Sequence, residues 1–118
     1  MPILEPVLNI MANKVIGRFY FKKSSNGNLI GEFSNNKSSK ISTESSNLAK
    51  GCSANYAGEY HSTWQENRRC LFADLDISEN PSSEGKLFTL NWCRDGKPIF
   101  EGGGMLCEGI LIGDYHDV

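Results

Sequence analysis

The sequence predicts an all-β fold, an eight-stranded antiparallel up-and-down β-barrel with a short N-terminal helix or arm. Three observations predict it: apolar and polar residues alternate in successive segments, turn signals separate most of these segments, and a Gly-charged-aromatic phrase recurs. The alternating segments centre near residues 19, 31, 43, 60, 74, 90, 103 and 112. Evenly spaced strands of this kind indicate a sandwich or barrel. Eight strands suffice to close a barrel around a small interior.

Length and composition predict one domain, residues 1–118, with 39% hydrophobic and 22% charged residues. The net charge is −2 and the basic residues are scattered, so we expect no nucleic-acid partner. No apolar run approaches the roughly 20 residues of a membrane span, so we expect no membrane association. Residues 1–13 lack the features of a secretory signal, which predicts a cytoplasmic location.

The first 13 residues are the only candidate for a helix. Leu4, Val7, Leu8 and Met11 follow the spacing of one helical face, and Pro6 suits a first helical turn. A segment this short needs packing to be stable as a helix. The alternative is an arm or an extra strand lying on the barrel.

The next segments form the firmest predicted hairpin. Asn26-Gly27 is a strong hairpin turn signal, and alternating residues flank it on both sides. One face carries Val15, Gly17, Phe19 and Phe21, followed after the turn by Leu29, Gly31 and Phe33. Residues 34–51 are polar, and we interpret them as a loop at 35–40, a weak strand at 41–45 and a further connection. They would form either a mobile lid over a cavity or a solvated edge.

The second half alternates more clearly. The expected inward residues include Tyr56, Gly58, Tyr60, Ser62, Trp64, Leu71, Ala73, Leu75, Ile77, Phe88, Leu90 and Trp92. Turn signals at residues 80–85 and at Asp95-Gly96 separate the later strands, which continue over 99–107 and 109–115.

The Gly-charged-aromatic phrase occurs four times, as Gly17-Arg18-Phe19, Gly31-Glu32-Phe33, Gly58-Glu59-Tyr60 and Gly113-Asp114-Tyr115. In a strand, residues i and i+2 share a face, so we expect the aromatics inside the barrel and the charges in water. Glycine allows the bends that a tight barrel needs, and a nearby aromatic covers the gap. Gly102-Gly103-Gly104 predicts a bulge or sharp bend, and it lacks the Lys-Ser/Thr of a phosphate-binding loop.

Several short pieces resemble the avidin-like branch of the calycin barrels. Gly17-Arg18-Phe19-Tyr20 resembles the Gly-x-Trp-Tyr of a first avidin strand, and residues 27–33 resemble the Gly-x-Leu-x-Gly-x-Tyr of the second. Residues 56–60 resemble a later Leu-x-Gly-x-Tyr, residues 88–92 the strand that ends in a biotin-stacking tryptophan, and residues 111–113 the final strand. The resemblance implies a ligand-binding barrel and allows for a homo-oligomer.

The polar residues that select biotin in that family are not matched. Phe21 stands where the family has an asparagine, Phe33 where a tyrosine hydroxyl reaches biotin, and Tyr115 where the last strand supplies an aspartate. Specificity of this kind depends on those hydrogen bonds. We therefore expect the scaffold without biotin binding.

Our leading hypothesis is a barrel that binds a small hydrophobic or planar molecule in its interior, without a cofactor or metal. The candidate binding residues are Trp92, Trp64, Tyr60, Phe33 and Asn91. Aromatic residues on apolar faces also serve simply as core. The alternatives are a small isomerase- or cyclase-type enzyme with interior carboxylates, and a filled barrel that acts only as an oligomerisation module.

The remaining reactive side chains suggest no defined site. For the enzyme alternative the candidate carboxylates are Asp74, Asp76 and Glu101, although they share faces with residues expected outside. We expect His61 and His116 to point outward as well. The cysteines Cys52, Cys70, Cys93 and Cys107 show no metal-ligand spacing, and we expect them to be free and mostly buried.

Overall fold

The computed structural model describes residues 14–118, which form eight strands and no helix. The N-terminal helix or arm predicted for residues 1–13 lies outside the described residues. The strands are β1 (Ile16–Lys23), β2 (Leu29–Asn35), β3 (Ser42–Gly51), β4 (Gly58–Glu66), β5 (Arg69–Glu79), β6 (Leu87–Arg94), β7 (Lys97–Cys107) and β8 (Ile110–Asp117).

Each strand pairs antiparallel with the next along the chain, and β1 also pairs with β8. This last ladder runs from Ile16 opposite His116 to Lys22 opposite Ile110 and closes the sheet. The predicted eight-stranded up-and-down barrel is therefore confirmed. Closure removes the free strand edges that an open sheet of this size would expose.

The polar segment of residues 34–51 is mostly barrel wall. β3 spans ten residues, Ser42–Gly51, and only residues 36–41 connect it to β2. The idea of a lid over the whole segment is wrong, because β3 is hydrogen-bonded to strands on both sides. The strand looked weak in the sequence because its inward face carries polar side chains.

The two-residue alternation places one face of every strand inside the barrel. The buried apolar core consists of Phe19, Phe21, Leu29, Phe33, Tyr56, Tyr60, Trp64, Ala73, Leu75, Ile77, Phe88, Leu90, Trp92, Leu111 and Tyr115. All four aromatics of the repeated phrase belong to this set, as predicted. Their central charges point away from the core, with Arg18, Glu59 and Asp114 exposed and Glu32 half-buried.

Three of the four glycines of the phrase, Gly17, Gly31 and Gly113, are covered by aromatic rings from the neighbouring strand, whereas Gly58 lies against Leu48. Phe19 lies opposite Gly113, and Phe21 lies opposite Gly31. A Cβ atom on Gly113 would lie 2.0 Å from the Gly103 carbonyl oxygen and 2.8 Å from the Phe19 ring. The strands therefore approach each other more closely than any side chain at this position would allow.

The bulge predicted at the glycine triplet is wrong. Gly102, Gly103 and Gly104 pair regularly with both β6 and β8, and the register of the β6–β7 ladder shifts instead between Trp92 and Cys93. The triplet serves close packing, because a Cβ on Gly102 would lie 2.1 Å from the Asp114 carbonyl oxygen.

One end of the barrel is plugged by tyrosines. The Tyr56 hydroxyl donates to the Gly109 carbonyl (2.7 Å), and the Tyr60 hydroxyl donates to the Tyr56 carbonyl (2.7 Å). Lys23 Nζ donates to the Tyr60 hydroxyl (2.8 Å) and the Gly27 carbonyl (2.9 Å). Burial lowers the pKa of Lys23 and, with Tyr56 nearby, raises the pKa of Tyr60 to about 12. We call this the closed end.

The opposite end, which we call the open end, carries the β2–β3, β4–β5 and β6–β7 connections. Within residues 14–118 no helix is long and apolar enough to span a membrane.

The four cysteines are free, as predicted, but the prediction that most are buried is wrong. Cys52, Cys70 and Cys107 are exposed and Cys93 is half-buried, because Cys70, Cys93 and Cys107 fall on the outward positions of their strands.

Candidate functional site

A small chamber lies inside the barrel towards the open end. Its volume is about 20 Å³, which is room for roughly one water molecule. Six aromatic and two acidic side chains line it: Phe19, Phe33, Trp64, Trp92, Phe100, Tyr115, Glu44 and Glu66. The barrel interior is thus almost completely filled by side chains.

Glu44 is the one charged side chain in the core of the described residues, with 5% of its surface exposed. It points inward from β3, and its Oε2 atom accepts hydrogen bonds from Trp92 Nε1 (2.8 Å) and from the Ser62 hydroxyl. The bond to Trp92 crosses the interior from β6 to β3. Burying a carboxyl group in an apolar core is unfavourable unless such donors are supplied.

A second serine extends this arrangement. Ser46 and Ser62 are both fully buried, and their Oγ atoms lie 2.8 Å apart. Since the Ser62 hydroxyl hydrogen is used for Glu44, Ser46 is the donor to Ser62. The resulting chain, Ser46 to Ser62 to Glu44, connects three inward positions of β3 and β4.

Burial raises the pKa of the Glu44 carboxyl above its usual value, and the hydrogen bonds from Ser62 and Trp92 oppose that rise. Burial acts in this direction because an apolar surrounding disfavours the charged form. A carboxyl group with a raised pKa beside a cavity is typical of functional sites, although structural networks produce it too.

The second carboxylate oxygen, Oε1, differs from Oε2 in its hydrogen bonding. No hydrogen bond joins it to any residue in the range 14–118, whereas Oε2 has two. No buried side-chain oxygen in this range lacks a partner, so Oε1 must reach accessible space. Glu44 lines the chamber and also a second groove beside Ile41 and Thr63, so the chamber is one of two spaces that Oε1 can reach.

The chamber walls are aromatic rings packed edge to face. The ring of Tyr115 lies 5.9 Å from Trp92, 6.1 Å from Phe33 and 5.6 Å from Phe100, between ring centroids. Its hydroxyl accepts a hydrogen bond from Asn35 Nδ2 (3.0 Å). Burial, aided by the nearby charges of Glu66 and Glu44, raises the pKa of Tyr115 to about 12 despite that hydrogen bond.

A wider funnel adjoins the chamber at the open end. Its volume is about 630 Å³, and it shares Phe33, Glu66 and Phe100 with the chamber. Glu66 and Phe100 are only half-buried, unlike the rest of the chamber wall. They form the boundary between funnel and chamber, and movement of their side chains would join the two spaces.

Three of the five candidate binding residues come together here. Trp92, Trp64 and Phe33 all line the chamber. Tyr60 is buried at the closed end, where Lys23 and Tyr56 occupy its hydroxyl. Asn91 lies on the outer face of β6, half-buried between the buried Leu90 and Trp92, so it does not face the chamber.

The other reactive groups considered from the sequence are outside the barrel. Asp74, Asp76 and Glu101 are exposed, so they are not the interior carboxylates that the enzyme alternative requires. His61 Nδ1 lies 2.9 Å from Asp74 Oδ1, and His116 Nε2 lies 3.6 Å from Glu101 Oε1, both on the surface. In the described part of the chain no three acidic, His or Cys side chains are placed to hold a metal ion.

Sequence reasoning missed Glu44 as an interior group. The available signal was its position on the same strand face as Ser46, two residues away. In isolation that face reads as polar and solvated. In a closed barrel one face of every strand lies inside, and in β3 it is the face that carries Glu44 and Ser46.

The fold and the chamber define the class of protein: a closed eight-stranded β-barrel with a buried carboxyl group in an aromatic interior, consistent with a calycin-like scaffold. Comparisons with protein-family models, curated proteins and solved structures find no match for this chain.

Proposed function

We propose that this chain is an avidin-like or lipocalin-like binding barrel that takes a small planar, largely apolar molecule at its open end. The observation that carries the proposal is the aromatic chamber, with the buried Glu44 carboxyl group in its wall, next to a 630 Å³ funnel that shares Phe33, Glu66 and Phe100 with it. Ligand sites in proteins are commonly apolar, with a few polar groups that fix orientation.

The size of the interior determines where such a ligand would lie. The chamber has a volume of about 20 Å³, too small for the deep interior site expected from the sequence. The funnel is within the range of typical ligand pockets, about 300–1,000 Å³. The body of the ligand therefore occupies the funnel, against Phe33 and Phe100, and only a small group enters the chamber.

Biotin is not the ligand in this proposal. The positions where the avidin family has biotin-selecting polar groups carry Phe21, Phe33 and Tyr115, which form part of the buried core.

The two indole N–H groups provide a direct test, because the chain has only two tryptophans and both line the chamber. We expect small planar compounds such as benzyl alcohol, benzamide and benzylamine to give saturable shifts of these two signals in ¹H–¹⁵N spectra. Biotin should give none. A Phe33→Ala variant should weaken binding by about tenfold.

Phe72→Ala is the matched control, since Phe72 is 64% exposed on the outer face of β5. It should leave binding unchanged. If no compound of the panel gives a saturable shift of either indole signal, the proposed function is wrong.

A second candidate function, the oligomerisation module, is favoured by a row of exposed apolar side chains. Leu87 lies opposite Met105, and Met105 lies opposite Ile112, on adjacent strands β6, β7 and β8. They are 46%, 56% and 44% exposed. The almost filled interior also agrees with a barrel that serves as a scaffold for association between copies of the chain.

A further inference from the structure

We propose that the ligand is a primary amine whose ammonium group enters the chamber and binds Oε1 of Glu44. This inference rests on the proposed function, because it specifies the chemistry of a ligand held at the same open end. Four features of the chamber carry it: its size, its charge, its aromatic walls and the orientation of the Glu44 carboxylate.

Size restricts the group that can enter. The 20 Å³ of the chamber hold about one water molecule. An ammonium group, with one non-hydrogen atom, occupies about the same space as water. A trimethylammonium group or an aromatic ring is far larger and would have to remain in the funnel.

Charge restricts the chemistry of that group. The two ionisable acids of the chamber are Glu44 and Glu66, and no basic side chain in the described range lines it. The basic residues Lys37, Lys40 and Arg68 lie farther out, around the funnel. A cation that reaches the chamber therefore meets acidic groups, whereas an anion would have to approach two carboxylates.

The aromatic walls add to the same preference. The faces of Trp, Tyr and Phe rings carry partial negative charge and attract cations. Trp92, Trp64 and Tyr115 surround the space beside Glu44. A cation placed against such a ring face is favoured over a carbonyl or carboxylate group of a ligand.

The orientation of Glu44 completes the site. Trp92 and Ser62 donate to Oε2 and hold the carboxyl group in place, and Oε1 is left without a hydrogen bond from residues 14–118. An ammonium group has three donors and no acceptor, so it complements a fixed oxygen of this kind. Its charge also compensates for the cost of burying the carboxylate.

Matched probes separate these features in one experiment. Titrations of the full chain with benzylamine, benzyl alcohol and benzyltrimethylammonium would be followed through the Trp92 indole N–H, which is assigned with a Trp64→Phe variant. We expect benzylamine to bind at least about tenfold more tightly than either other compound. The Glu44→Gln variant should lose that preference while still binding benzyl alcohol, and Glu66→Gln should retain most of it.

The outcomes distinguish the inference from the proposed function. Equal affinity for benzylamine and benzyl alcohol in the unmodified protein would overturn the inference and leave the binding function intact. Tighter binding of benzyltrimethylammonium would overturn it as well, because a bulky cation cannot occupy the chamber. Absence of binding by all three compounds would contradict the proposed function itself. The comparison among probes is made on the unmodified protein, where both indole signals report on the chamber, so it holds even if Glu44→Gln or Trp64→Phe fails to fold.

Discussion

At the scale of single residues, Glu44 combines an unfavourable location with favourable partners. Its side chain is nearly inaccessible, yet Trp92 and Ser62 supply hydrogen bonds to it. Removing the carboxyl group or removing its partners should thus destabilise the fold, because either change leaves buried polar groups without hydrogen bonds. An apolar replacement would leave a buried indole N–H and a buried hydroxyl unsatisfied, at a cost of about 1–3 kcal/mol for each group.

The raised pKa of Glu44 predicts how stability depends on pH. The folded protein holds the proton of the Glu44 carboxyl group more tightly than the unfolded chain does. The protonated carboxyl group therefore contributes fully to the free energy of unfolding below the pKa that Glu44 has in the unfolded chain. This contribution is lost as the pH rises through the pKa that Glu44 has in the folded protein. Relative to Glu44→Gln, the unmodified protein should lose about 1.4 kcal/mol of unfolding free energy per unit of pKa elevation.

Urea denaturation at a series of pH values from the unfolded pKa upward would measure this difference. Glu32→Gln serves as a control on the outer face, where Glu32 is half-buried. If the stability curves of the unmodified protein and Glu44→Gln run parallel over the whole range, Glu44 does not titrate as the structure implies.

At the scale of the elements, the strands are held at close spacing by glycines under aromatic rings. Phe19 on β1 covers Gly113 on β8, and Phe21 on β1 covers Gly31 on β2. β1 thus covers a glycine on each of its neighbours. The sequence predicted that aromatics would cover glycines, and the structure shows that the covering ring comes from the adjacent strand.

Substitution of Gly113 by alanine should destabilise the barrel because the new Cβ would meet the Gly103 carbonyl oxygen at 2.0 Å. We expect a loss of about 1–3 kcal/mol, the usual cost of overpacking. Gly103→Ala is the matched control on the adjacent strand, since its Cβ would meet only the Phe88 carbonyl oxygen at 3.7 Å. Equal unfolding free energies for the two variants would show that close strand approach is not the reason for Gly113.

At the scale of the whole molecule, the two ends of the barrel differ. Tyr56, Tyr60 and Lys23 form a hydrogen-bonded plug at the closed end, whereas half-buried Glu66 and Phe100 border the open end. Access to the chamber is therefore expected from one side only. The exposed apolar row of Leu87, Met105 and Ile112 lies on the outer face of the barrel wall and does not line the chamber.

The apolar row predicts association between copies of the chain. We expect the purified protein to be a dimer or larger by light scattering after size-exclusion chromatography, and Met105→Glu to be monomeric, because a charge buried in such an interface is unpaired. Phe72→Glu, on the outer face of β5 and away from the row, should not change the mass. A monomeric unmodified protein would contradict the oligomerisation module.

Much of the fold could be predicted from alternation and turns, since both are local properties of the sequence. The eight strands lie where the segments centred near residues 19 to 112 predicted them. The site was only partly predicted. Trp92, Trp64 and Phe33 belong to apolar faces that mark the interior directly, whereas Asn91 was included as a neighbour of Trp92 although adjacent residues of a strand face opposite sides.

The sequence by itself determined which face is inside for the strands that carry an apolar face, because the two-residue period of a strand fixes the direction of successive side chains. The inward face of β3 is polar and was not determined in this way. Only the tertiary structure decided what that inside face contains. Glu44 and Trp92 are 48 residues apart, and their contact exists because closure brings β3 and β6 to face each other across the interior. Closure also decided the size of the chamber, since packing of the rings leaves room for about one water molecule.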